Sequence, residues 1–176
     1  MQTSDDARLR GPNAVDEYFE VQPSTLHGLG LFCVKAVSRN MYFTLPVSRP
    51  SRVLTSHSTS YLLDYYVRRE WRHVGTCIVS DSVVSYNEIW DELHPTVFEE
   101  RVVRCQDIFM RANDLAWPAK SLRAYNRNMA RNKLQMMLVI SAETKRIVGV
   151  AVCATRDIDI GEECGNVYGY EFWCPA

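Results

Sequence analysis

The residues best suited to chemistry lie near the two ends of the chain. Toward the C-terminus, Tyr168, Tyr170, Phe172 and Trp173 place four aromatic rings within six positions, beside Gly169. Exposed rings forgo burial free energy, so this segment is expected to pack into the fold and line a site. The chemistry such rings favour is the holding of a cationic alkylammonium against their faces. Toward the N-terminus, Ser24-Thr25-Leu26-His27-Gly28-Leu29-Gly30 is a loop with two glycines. Glycine lets backbone groups approach a ligand closely, so amides and carbonyls here could hold an amino-acid-like head group.

Short strands at both ends must position these residues, with a helical segment between them. Glu17-Tyr18-Phe19-Glu20-Val21 reads as the first strand, and Leu31-Phe32-Cys33-Val34 resumes an apolar strand after the glycine loop. Residues 35–60 carry Pro46 and Pro50 and read as irregular chain with short strands. Tyr61 to Arg72 has the spacing of an amphipathic helix. Ser85-Tyr86-Asn87-Glu88 and Thr96-Val97-Phe98-Glu99 match helix capping boxes. After the second, Phe98, Val102, Cys105 and Phe109 recur at helical spacing, predicting a helix that ends near Asn113-Asp114. From Leu134 the period becomes two. Leu134, Met136, Leu138 and Ile140 share one face, Glu143-Thr144-Lys145 turns, and Ile147 to Ala154 returns as a hairpin partner. The second face of that hairpin is also fairly apolar. Residues 1–16 read as a polar lead-in and 17–176 as one domain, with the helical insert at about 60–112.

Length and composition narrow the classes. A chain of 176 residues buries a sizeable core without staples. Its formal net charge of -1, from 20 basic and 21 acidic residues, gives no electrostatic case for nucleic acid as the main ligand. No run is long and apolar enough to span a membrane, and the polar N-terminus lacks the pattern of a signal peptide. The six cysteines, Cys33, Cys77, Cys105, Cys153, Cys164 and Cys174, are scattered without a C-x-x-C pair, which predicts reduced thiols in an intracellular compartment, nucleus or cytoplasm. The same scatter gives no zinc-ligand spacing, so no metal is expected.

Two motifs together resemble the SET domain, the family of S-adenosylmethionine-dependent protein lysine methyltransferases. Thr155-Arg156-Asp157-Ile158-Asp159-Ile160-Gly161-Glu162-Glu163, followed by Tyr168-Gly169, is similar to the family's closing motif, and His27-Gly28-Leu29-Gly30-Leu31-Phe32 to its opening one. The resemblance implies a mainly β (α+β) fold, a β-clip of several small sheets with an inserted helical segment and a C-terminal pseudoknot. It implies that Gly28, Leu29 and Gly30 contact the methionine part of S-adenosylmethionine, which leaves as S-adenosylhomocysteine. The family's asparagine motif has two candidates. One is Asn113 with Asp114, paired with Asn132 across an inserted loop at 114–131; the other is Asn126, six positions before Asn132. In either case the usual histidine is missing, with Asp114 or Arg127 in its place.

By the same resemblance, Tyr168 stands at the catalytic tyrosine. Its hydroxyl would orient the amine of a lysine that arrives neutral by desolvation. Tyr170 and Phe172 would build the lysine channel, and Trp173 would pack on adenine. The implied partner is a protein or peptide carrying a lysine, with a histone tail as a candidate. Asp81, Glu88, Asp91, Glu92, Glu99 and Glu100 offer an acidic surface for such a basic peptide, or form a solvated face. The alternative functions are a catalytically inactive SET- or PR-like interaction module and a methyltransferase of a non-histone protein. Oligomeric state is not legible.

Overall fold

The computed structural model describes residues 8–45, 62–65, 67–73, 75–100, 102–105, 108–168 and 170–174, with 62–65, 102–105 and 110 as backbone alone. The side chains of Tyr61, Tyr65, Tyr66 and Cys105, and Gly169, lie outside what is described.

The hairpin organises the main sheet. β9 (Leu134–Ile140) and β10 (Ile147–Ala154) pair antiparallel, as the alternation predicts, around a turn in which Lys145 takes a positive φ of 57°. Leu134, Met136, Leu138 and Ile140 enter the large core, and Met137, Ala151 and Cys153 enter a second, smaller one with Leu9, Tyr42 and Ile78. The apolar second face of the sequence is thus explained: both faces of the hairpin are covered. Six strands complete the sheet in the order β1-β4-β10-β9-β6-β7, where β1 is Arg10–Asn13, β4 Met41–Leu45, β6 Thr76–Val79 and β7 Ser82–Ser85. The sheet therefore begins inside the segment read as a polar lead-in.

A second sheet carries the glycine loop. β2 (Phe19–Pro23) and β3 (Leu29–Cys33) pair antiparallel, and β11 (Glu163–Cys164) joins the other edge of β3. This sets the two ends of the chain side by side. β2 starts later than the strand read over residues 17–21, because Val15–Tyr18 forms a short helix, α1, ahead of it.

The middle differs most from expectation. Tyr61 to Arg72 is not one helix: Leu62–Tyr65 is a strand, β5, followed by a 3-10 turn at Arg69–Trp71. At the second capping box the chain makes a 3-10 turn, Pro95–Phe98, then strand β8 (Val102–Cys105), which pairs with β5, then another 3-10 turn at Ile108–Arg111. Adjacent valines at 102 and 103 suit a pleated strand better than a helix. The cap itself is His94, whose Nδ1 accepts from the Thr96 amide, and not Thr96. The Ser85 box does open a helix, α2 (Tyr86–Ile89), with the Ser85 hydroxyl accepting from the Asn87 amide. The insert read as loop at 114–131 contains helix α3 (Leu122–Asn128), capped by Ser121. A last short helix, α4, spans Tyr170–Trp173.

Candidate functional site

The chain end is seated between the flanks of the 113–134 segment. The Asn166 amide donates to the Asn113 carbonyl at 3.0 Å, and the Leu134 amide donates to the Gly165 carbonyl at 3.1 Å. Gly165 is required there, since a Cβ would overlap the Asn132 side chain and Leu115.

One carboxylate closes this arrangement. Asp114 is 0% exposed. Its Oδ1 accepts from Asn132 Nδ2 at 2.8 Å and from the Ala116 amide at 3.0 Å. Its Oδ2 accepts from the Tyr125 hydroxyl at 2.5 Å, the Tyr168 amide at 3.1 Å and Trp173 Nε1 at 3.1 Å. Five donors thus converge from its own turn, from α3, from the far flank and from the chain end. Burial raises the Asp114 pKa, but the hydrogen bonds from Tyr125, Asn132, Trp173 and the Tyr168 amide outweigh it and hold the carboxyl below its ordinary value. Asn132 completes the closure by accepting from the Leu115 amide at 2.8 Å.

The glycine loop meets this cluster through Asn113. Its Nδ2 donates toward the carbonyls of His27 at 3.3 Å and Leu29 at 3.1 Å and to Glu163 Oε1 at 2.8 Å. Asn113 therefore lies at the loop, whereas Asn126 is exposed on α3. The two glycines do different work. Gly28 takes a positive φ of 45° with nothing within 4 Å of where a Cβ would stand. At Gly30 a Cβ would overlap the Glu163 carboxylate, so the group making the close approach is the chain's own. Glu163 also accepts from the Ser24 hydroxyl at 3.0 Å. Three acceptors converge on the two N–H donors of the Asn113 amide, beside the open face of Gly28, and two carbonyls and a carboxylate of this kind could also receive an ammonium. His27 Nε2 is buried with no partner among the described residues, a further polar atom at this loop.

The aromatic residues divide into two groups. The Trp173 ring stacks on Trp117 at 5.1 Å, on His27 at 5.4 Å and on Tyr168 at 5.8 Å. Phe172 meets Tyr168 edge-on at 5.1 Å and is 64% exposed. Tyr170 points elsewhere, its ring 5.7 Å from Tyr125 and 6.5 Å from Trp117. In a single helical turn, positions two apart fall on nearly opposite sides, which separates Tyr170 from Phe172. Tyr168 is 38% exposed, yet its hydroxyl donates to the Ala112 carbonyl at 2.6 Å. Burial of that end, and then the Asp114 charge, push the Tyr168 phenol pKa up, so it stays neutral. With its proton committed to Ala112, the hydroxyl oxygen faces any other group as an acceptor.

Sequence reasoning missed Trp117, Tyr125, Gly165 and the Glu163 contacts. A signal existed for one of them: Gly165 lies between the closing motif's Glu163 and Tyr168. Asp114 was named as a cofactor-binding candidate beside Asn113, not as the buried acceptor that gathers five donors. Of the acidic surface, Asp81 accepts from the Tyr42 hydroxyl, Asp91 pairs with Arg72, Glu92 with Lys145 and Glu100 with Arg146. Four of those six carboxylates are thus already engaged. Cys33, Cys77, Cys153 and Cys164 are buried free thiols, and burial pushes Cys77 to about 12 and Cys153 to about 11. Among the described residues, no group of three or more His, Cys, Asp or Glu side chains is placed to hold a metal ion.

No family model matches the sequence, and no curated protein matches it significantly. Among solved structures the chain is similar to a Plasmodium falciparum protein provisionally described as a histone methyltransferase, at 12% identity and a TM-score of 0.39, over 89% of this chain and 96% of that one. It is also similar to the methyltransferase domain of human histone-lysine N-methyltransferase SETMAR, at 13% identity and a TM-score of 0.43, over 91% of this chain but 49% of that one. The layout built above, small sheets around an insert with the chain end seated between Asn113 and Leu134, is the mainly β (α+β) architecture.

Proposed function

We propose that this protein is an S-adenosylmethionine-dependent protein-lysine N-methyltransferase, with a histone as a candidate substrate. What supports the reading is that Asn113 donates to the glycine-loop carbonyls while Tyr168 donates to the carbonyl of Ala112 beside it. Bound there, the cofactor would supply a methyl group on sulfonium. The carbonyls of His27 and Leu29, with Asn113 and Glu163, would hold its amino-acid end, and Trp173 its aromatic end.

The chain's own residues would act by binding and orientation. A free lysine has a pKa of about 10.4 and must lose its proton before it attacks. The rings of Phe172 and Tyr168 would strip water from the ammonium and favour the neutral amine. Neutral Tyr168, oriented by Ala112, would accept from an amine N–H and so aim the lone pair. We assign the protein to a reducing intracellular compartment, nucleus or cytoplasm.

Two measurements test this. Calorimetry should show S-adenosylmethionine or S-adenosylhomocysteine binding, weakened more by Asn113→Ala than by Asn126→Ala. Absence of any binding by the folded protein favours the inactive SET- or PR-like interaction module. A methylation assay on core histones with mass-spectrometric site mapping should then detect product, and Tyr168→Phe should reduce it at least about 100-fold, the scale of a lost orienting group. Wild-type turnover in that variant removes Tyr168 from the chemistry, and product only on other proteins selects the non-histone alternative.

A further inference from the structure

The whole-chain charge of -1 hides a segregation of charge. Between Asp114 and Glu143 there is no acidic residue, while Lys120, Arg123, Arg127, Arg131 and Lys133 fall in that interval. Asp114 is buried, and Lys133 pairs with Glu162 at 2.8 Å. The other four cations are exposed and have no carboxylate partner among the described residues. The one acidic residue of the chain end packed under α3 is Glu171.

Helix geometry gathers these cations. Arg123 and Arg127 are four apart on α3, and Arg131 lies four further on, ending the 3-10 turn Met129–Arg131 that continues it. At 3.6 residues per turn Arg123 and Arg127 share one side, about 6 Å apart, and Arg131, past the end of α3, is exposed in the tighter turn that follows. Tyr125 falls on the opposite side and is buried, with its hydroxyl on Asp114 and its ring against Tyr170. The helix thus presses one face onto the candidate site and turns an arginine row to solvent.

We propose that this arginine row is a docking surface for the phosphate backbone of a nucleic acid. A nucleic-acid strand carries one phosphate per nucleotide, a regular line of negative charge for such cations to meet. Guanidinium groups match phosphate in fork geometry, and the row is arginine throughout rather than lysine. Cations with no carboxylate partner among the described residues have no ion pair to give up when they displace counterions from phosphate. Docking here would hold a strand about one helix diameter from the chain end that carries Tyr168. The proposal does not depend on the methyltransferase reading.

Fluorescence anisotropy with a labelled 20-base-pair DNA duplex and a labelled 20-nucleotide RNA, between 50 and 200 mM salt, tests it. Binding should follow log salt with a slope of about −2 to −3, as three phosphate contacts dictate for single or double strands. R123Q/R127Q/R131Q should weaken binding more than about 10-fold at 50 mM salt and flatten that slope by about 2 to 3. R8Q/R10Q/R39Q, the same charge change at exposed positions elsewhere, should cost less than about twofold. The arm that binds more tightly identifies duplex or single strand as the source of phosphate. No binding of either probe, equal losses in the two triple variants, or tighter binding of a polyglutamate peptide would each overturn the proposal. Should the first triple variant fail to fold, the three single variants must each lower the slope by about 0.7 to 0.9.

Discussion

The β9–β10 hairpin and the chain end from Gly165 to Trp173 are both held tightly, but by opposite means. The hairpin is held by area. Leu138 and Ala151 are fully buried on opposite faces, and many side chains share the load. The chain end is held by direction. Its described residues are exposed or half-buried, apart from Gly165, and two of its N–H groups, the Tyr168 amide and the Trp173 indole, end on one carboxylate oxygen of Asp114. Apolar burial is non-directional and degrades gradually. A buried carboxylate with five donors fails at once, because losing it leaves every donor unpaired in a dry setting. A site that must align a hydroxyl and a ring to a fraction of an ångström is better served by the second kind of restraint.

The largest change should come from breaking the first kind. Leu138→Ala removes a fully buried side chain from the large core and should cost about 2–5 kcal/mol, read as a lower urea midpoint for the whole domain. Breaking the second kind should cost less and stay local. Asp114→Asn keeps the shape but removes the charge and turns one acceptor into a donor facing donors, a loss of about 1.5–3 kcal/mol. Hydrogen exchange should quicken across 165–174 while the hairpin amides hold. Equal acceleration in both regions would erase the distinction and make Asp114 an ordinary core residue.

The same distinction decides what the sequence could disclose. The hairpin was legible because period-two alternation is a local signal that burial of either face reinforces. The glycine loop and the closing motif were legible as patterns, and the pairing of β11 with β3 then set them side by side. The middle was misread because Phe98, Val102, Cys105 and Phe109 fit a helical period by chance. The partner of Val102–Cys105 is Leu62–Tyr65, far away in sequence, and long-range pairing overrode local spacing. Within the site, Asn113, Asp114, Tyr168 and Trp173 were nameable one by one. Their convergence on Asp114 was not, since no spacing in the chain encodes which donors a buried carboxylate will collect. Helix α3 was hidden in a stretch read as loop, because its inward face is essentially Tyr125 alone and an apolar stripe is missing.

The smallest effect is expected from pH, and its sign separates the two regions again. The Asp114 carboxyl has an ordinary value of 3.8, and in the fold it lies lower. A depressed carboxylate contributes stability that is fully present above the unfolded value and is lost only as pH falls through the folded one. Between pH 8 and 5 the chain end should therefore stay docked, with no change in the indole N–H resonance of Trp173 followed by NMR. Release should begin below 3.8 and run toward the lower folded value, while the buried leucines and valines of the hairpin have nothing to titrate. In Asp114→Asn the resonance should start from the released position and stay flat through the same range. A midpoint above 3.8 in the wild-type chain would assign the transition to some other carboxylate, and the chain end would then be held, like the hairpin, by area.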